Sequence, residues 1–144
     1  MTPTTVAVRN AAPVDQTRIV ELLSLFGEGI QPSLKHSPDV YAEFLNRAKG
    51  EILVAVEDGA VVGVITFSYA IAMRYAGEYA QVEELMVDGS QRGKGTGALL
   101  VRAAIDAARA RGCKEIGLYA KEHTRAFYEK LGFVYAGPEV RMAL

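Results

Sequence analysis

One cysteine, Cys113, stands in 144 residues, so no disulfide can form within the chain, which suits a reducing compartment. No apolar run reaches the ~18–20 residues of a membrane span. The opening stretch MTPTTVAVRN has no basic segment followed by an apolar one, which argues against a signal peptide. Neither sign of charge dominates. Sixteen Lys and Arg against 17 Asp and Glu leave a net charge of −1, and with it no general attraction to nucleic acid or to an anionic membrane. Internal repeats, low-complexity tracts and linkers are all missing. These absences leave the expectation of a single soluble, cytoplasmic domain over residues 1–144, long enough to bury a real core.

The remaining pattern alternates strand and helix. TVAVR (5–9) alternates as a strand. Asp15 is placed to cap a helix through TRIVELLSLFG, with Ile19, Leu22, Leu23 and Phe26 on one stripe and Gly27 at its end. A loop, GEGIQPSLKHSP, leads to a second helix over Asp39–Lys49. EILVAVEDGAVVGVITFSYAI reads as two strands around an Asp58-Gly59 turn. EYAQVEELMV is a strand. A long helix follows, its face marked by Leu99, Leu100, Ala103, Ala104, Ala107 and Ala108, ending at Gly112. EIGLYA is a strand, HTRAFYEKLG a short helix, and FVYAG and EVRMAL two last strands. The order β-α-α-β-β-β-α-β-α-β-β predicts an α/β fold. Its sheet is mixed and mostly antiparallel, of about seven strands, with helices on both faces.

The most informative segment is SQRGKGTGALL (90–100). Glycines at 93, 95 and 97 abut the start of the long helix, although each costs ~1 kcal/mol relative to Ala inside a helix. Bare backbone at a helix N-terminus makes an anion cradle, because unpaired N–H groups and the helix dipole converge there. Arg92 and Lys94 add full positive charge. A Walker loop does not fit, since Gly89 and Gly93 are too close and Gly95 follows Lys94 where Ser or Thr is required. GKGTGA matches a dinucleotide fingerprint formally. However, a loop separates it from its strand, and only one βαβ unit follows three earlier strands.

Arg92-x-x-Gly95-x-Gly97 resembles the Gln/Arg-x-x-Gly-x-Gly/Ala pyrophosphate loop of the GNAT N-acetyltransferase superfamily. VEELMVDGSQRGKGTGALL is similar to that family's strand-loop-helix, and AFYEKLGF (126–133) to its late helix. The resemblance implies acetyl-CoA as co-substrate, with no metal. Backbone amides of Arg92, Gly93, Lys94, Gly95, Thr96, Gly97 and Ala98 would hold the pyrophosphate. Leu85, Met86 and Val87 would pair with the pantetheine arm along a strand edge splayed from the next strand. It further implies acetyl transfer to a primary amine of a small molecule or peptide, with a homodimer left open. The alternative is a GNAT-like module that binds acyl-CoA without turnover.

Strand alternation sends Glu83 and Glu84 to opposite faces. Similarity to diamine acetyltransferases points to Glu83 as the base, on the face carrying Leu85 and Val87, with Glu84 peripheral. Tyr128 takes the role of donor to the departing thiolate, on a helix anchored by Phe127 and Leu131. Two positions depart from the family pattern: Lys121 stands where many relatives have Asn, and Gly89 where many have Pro. His36, in a polar loop, and His123, near the last helix, read as solvated histidines, and Cys113 as a packing residue.

Overall fold

The computed structural model describes residues 5–26, 38–137 and 140–143. Its elements are β1 (Val6–Asn10), α1 (Gln16–Leu23), α2 (Pro38–Leu45), β2 (Gly50–Glu57), β3 (Ala60–Ala72), β4 (Gly77–Val87), α3 (Thr96–Arg111), β5 (Ile116–Leu118) and α4 (Arg125–Lys130). The sheet order is β1-β2-β3-β4-β5. The first four strands pair antiparallel, and β5 pairs parallel to β4 after the α3 crossover. The β2–β3 hairpin turns on Asp58 and Gly59, both at positive φ (50° and 77°). That backbone matches the twist of a two-residue hairpin.

Each sheet face is covered by the helices whose stripes match it. On one face α1 buries Ile19, Leu22 and Leu23 against Ile52, Val54, Val61 and Val64. On the other, α3 buries Leu100, Val101, Ala104 and Ala108 against Phe67, Ile65 and Val82. Alanines at two of those positions let the helix approach the sheet closely. Gly112, at φ 92°, ends α3 in the left-handed conformation, with its N–H turned back to Ala108 and Arg109.

Three expectations shift. The sheet has five strands among the described residues, where about seven were expected: 133–137 and 140–143 carry no ladder. Gly137, at φ 122°, leaves the extended conformation at the end of the first of these stretches. The second helix stops at Leu45, because Arg47 turns to φ 60°. Asp15 does not cap α1 through its side chain. Pro13 opens a short 3-10 turn just before α1, and the buried Asp15 carboxylate accepts from the Ala12 N–H (2.7 Å) and from Arg9 (2.7 Å). The loop over 27–37, with Gly27 and His36, lies outside the described residues.

Leu100 is fully buried where α3 meets the sheet. Leu100→Ala should lower unfolding stability by about 2–5 kcal/mol, the range for a buried Leu truncated in a close-packed core, as read by urea denaturation.

Candidate active site

The loop from β4 to α3 is held from below and open above. Asp88 accepts from the Ser90 N–H (2.9 Å) and pairs with Arg18 of α1 (2.8 Å). These partners hold the Asp88 carboxyl down at about 2. Gln91 is buried and accepts from the Thr96 hydroxyl (2.8 Å), which ties the loop to the first turn of α3. Above this staple, residues 92–95 are exposed. Gly93 and Gly95 sit at φ 74° and 77°, and a Cβ on either would meet no protein atom within 4 Å. The open side therefore belongs to whatever approaches from outside.

Backbone bonding selects the available donors. The Arg92 N–H goes to the Gly89 carbonyl (3.3 Å) and the Lys94 N–H to the Gln91 carbonyl (3.1 Å). The amides of Gly93, Gly95, Thr96, Gly97 and Ala98 have no backbone acceptor among the described residues. A run of free N–H groups at the positive end of a sixteen-residue helix suits a diphosphate. The set of free amides is thus narrower than the whole 92–98 segment.

This loop continues directly from a strand edge. The β4–β5 ladder covers only Ala80–Val82 against Ile116–Leu118, while β4 runs on to Val87. The phase of that free stretch is set by two bonds to β3. The Glu84 N–H donates to the Thr66 hydroxyl (3.1 Å) and the Asp88 N–H to the Val62 carbonyl (2.8 Å). The amides of Leu85 and Val87 alternate with these and so point away from β3, to the side β5 has left.

The same register resolves the two acids. Thr66 opposes Glu84 while Phe67 opposes Val82, so Glu83 is the extra residue of a β-bulge. The bulge breaks the alternation expected from sequence. Leu85 and Val87 pack with the α3-side core, as does Val82, whereas Glu83 is exposed and Glu84 turns under α1 and α2. Glu84 stands at the base of a ≈ 90 Å³ cavity whose walls include Ile19 and Leu23 of α1, Phe44 of α2 and Ile52 of β2. The Thr66 hydroxyl hydrogen-bonds its carboxylate. Burial, with a smaller push from the nearby Glu83 charge, raises the Glu84 carboxyl to about 7.

Tyr128 lies on the opposite face. It packs with Leu131 and Phe133 on the α3-side core that also takes Leu85 and Val87. Its ring meets Phe127 and Phe133 edge-on at 4.9 and 5.8 Å. Burial raises its hydroxyl above the ordinary value, so it stays protonated at neutral pH. Tyr128 and Leu131 anchor α4, not Phe127, whose ring lies 3.6 Å from where a Cβ on Gly97 would sit. The late helix thereby touches the start of the cradle helix. Tyr128 also lines a groove of about 900 Å³ along the outer edge of β5.

The sequence matches the Acetyltransferase (GNAT) family over residues 18–133. The chain belongs to the GNAT acetyltransferase family. Among its curated relatives, glucosamine 6-phosphate N-acetyltransferase 1 of Oryza sativa subsp. japonica is 33% identical over 87 residues, 57% of this chain and 53% of that protein. This GNAT chain thus spans about half the length of the curated relatives it matches. An acetyltransferase structure from Trypanosoma brucei superposes with a TM-score of 0.82 at 26% identity, covering 97% of this chain and all of that one. A Clostridium acetobutylicum protein solved with acetyl-CoA shares the fold at a TM-score of 0.80 and 19% identity, covering 96% of each chain. The free amides and the unfilled space at Gly93 and Gly95 fit the pyrophosphate of such a co-substrate.

Two residues of the candidate site were not singled out from sequence. Thr66 is the one hydroxyl in the apolar run VVGVITF, a signal that it has a buried partner, and it hydrogen-bonds the Glu84 carboxylate. Gln91, in a polar loop, gave no sign that it would be 2% exposed.

Two measurements check this geometry. Gly95→Val should weaken coenzyme A binding about tenfold or more by calorimetry, and Lys94→Ala only a few-fold, because backbone approach outweighs an exposed charge. Glu84 also links stability to pH. Its folded carboxyl binds a proton more readily than the unfolded one. Wild-type stability should therefore fall as pH rises from about 4.5 to about 7, then level off. Glu84→Gln should be more stable than wild type at pH 8, by up to roughly 3 kcal/mol, and equal to it near pH 4.5.

Proposed function

We propose that this chain is an acetyl-CoA-dependent N-acetyltransferase acting on a primary amine of a small molecule. The observation that carries this reading is the adjacency of three features on one stretch of chain: a half-buried carboxyl at Glu84 held near neutrality, open-edge amides at Leu85 and Val87, and the free amides of Gly93 and Gly95–Ala98. The rice relative's name assigns it glucosamine 6-phosphate as acceptor, which supports an amine acceptor of small size.

Bound acetyl-CoA supplies the acetyl group as a thioester, open to attack by a neutral amine. The corner amides and the Leu85–Val87 edge bind and orient it. The Leu85 N–H is the donor placed to stabilise negative charge on the carbonyl oxygen during attack. An alkylammonium has a pKa near 10 and needs a base at neutral pH. Glu84, with its carboxyl at about 7, is matched to accept that proton. Glu83, expected from sequence as the base, becomes a neighbouring charge that adds to the desolvation raising Glu84. Tyr128, protonated and on the far face of β4, donates to the departing sulfur.

Thiol release from acetyl-CoA across an amine panel tests the activity. Glu84→Gln should lower kcat/KM about 100-fold at pH 7, with the deficit shrinking toward pH 10 as free amine becomes abundant. Glu83→Gln should cost less than tenfold; the reverse pattern of pH profiles would restore Glu83 as the base. Tyr128→Phe should slow single-turnover transfer by about 10- to 100-fold with coenzyme A affinity retained. An unchanged single-turnover rate would reduce Tyr128 to a packing residue.

A further inference from the structure

The cavity above Glu84 constrains which amine can be the acceptor. This inference rests on the transferase reading and concerns the substrate class of the same site. α1 contributes Ile19 and Leu23 to its walls, α2 contributes Val40 and Phe44, and β2 contributes Ile52. Its polar groups are few and mostly engaged. The Thr66 hydroxyl bonds Glu84, and the Tyr41 hydroxyl donates to the Ala12 carbonyl (2.5 Å). Gln16, on α1, is the remaining polar side chain of the lining. No Lys, Arg or His lines the cavity among the described residues.

We infer that the acceptor end inserted at Glu84 is a primary amine on a short hydrocarbon segment, not an amine flanked by hydroxyls as in a hexosamine phosphate. The carboxylate supplies charge complementarity for the ammonium, and the walls supply contact for methylene groups. At ≈ 90 Å³ the cavity is smaller than the ~150 Å³ one that admits benzene. It has room for roughly three to five heavy atoms on that scale. A hydroxyl on either carbon next to the amine would meet walls that are mostly apolar, Ile19, Leu23 and Phe44 among them, with Gln16 the one polar side chain of the described lining not engaged elsewhere. Each hydroxyl left unpaired there weakens binding by roughly tenfold.

The test compares n-butylamine, 2-amino-1,3-propanediol and glucosamine 6-phosphate as acceptors at saturating acetyl-CoA. In parallel, the methyl NMR signals of Ile19, Leu23 and Ile52 are followed as n-butylamine is added to the free protein. We expect kcat/KM for n-butylamine at least tenfold above that for the diol, with shifts at those three residues. Val40 is 56% exposed at the cavity, so Val40→Trp should fold normally. It should raise KM for n-butylamine several-fold and leave coenzyme A affinity unchanged. Thiol release with glucosamine 6-phosphate but not with n-butylamine would overturn this inference while leaving N-acetyl transfer intact. If no amine supports release, the transferase reading fails, and the methyl shifts alone decide whether the cavity takes an alkylamine: their absence overturns the inference, their presence upholds it.

Discussion

The parallel pairing of β4 with β5 ends at Val82 and Leu118, and β4 then runs on to Val87 with no further strand beside that edge among the described residues. An unpaired strand edge is ordinarily a liability, because its N–H and C=O groups invite association. Here it runs into a loop and helix start where the amides of Gly93 and Gly95–Ala98 have no backbone acceptor among the described residues. Under the proposed function these two sets of donors, separated by the bonded amides of Asp88 and Ser90–Arg92, would be the track along which the co-substrate lies. The Gln91–Thr96 staple and the Arg18–Asp88 pair hold the loop that carries the second set to the start of α3 and to α1.

The bulge at Glu83 is the second determinant. By inserting one residue into β4, it leaves the Leu85 amide on the free edge, turns Glu84 under α1 and α2, and keeps Leu85 and Val87 facing α3. The Glu84 carboxyl therefore lies on one face of the sheet and Tyr128 packs on the other. Burying Glu84 costs stability at neutral pH, since its charged form is poorly solvated. A local defect in pairing and a buried acid are both features that a purely structural sheet would avoid.

Much of this was legible in the sequence, for physical reasons. The Asp58-Gly59 turn, the α3 stripe and the glycine corner each follow from backbone rules that operate over a few residues. The departures arose where tertiary pairing overrode local pattern. FVYAG has strand composition but no ladder partner among the described residues, so its Val134 is 86% exposed. Glu83 and Glu84 obey alternation in isolation; only the β3 register, with Thr66 opposite Glu84, creates the bulge. Nor could sequence tell which amides of the 92–98 corner are spent inside the loop, because Arg92 and Lys94 look as available as their glycine neighbours.

Backbone amide hydrogen exchange with and without coenzyme A reads that track residue by residue. Binding should slow exchange at Gly93, Gly95, Thr96, Gly97 and Ala98 and at the edge amides of Leu85 and Val87. Arg92 and Lys94, already bonded within the loop, should change little. Protection confined to the groove beside β5, with none at Leu85 or the glycine corner, would contradict the account.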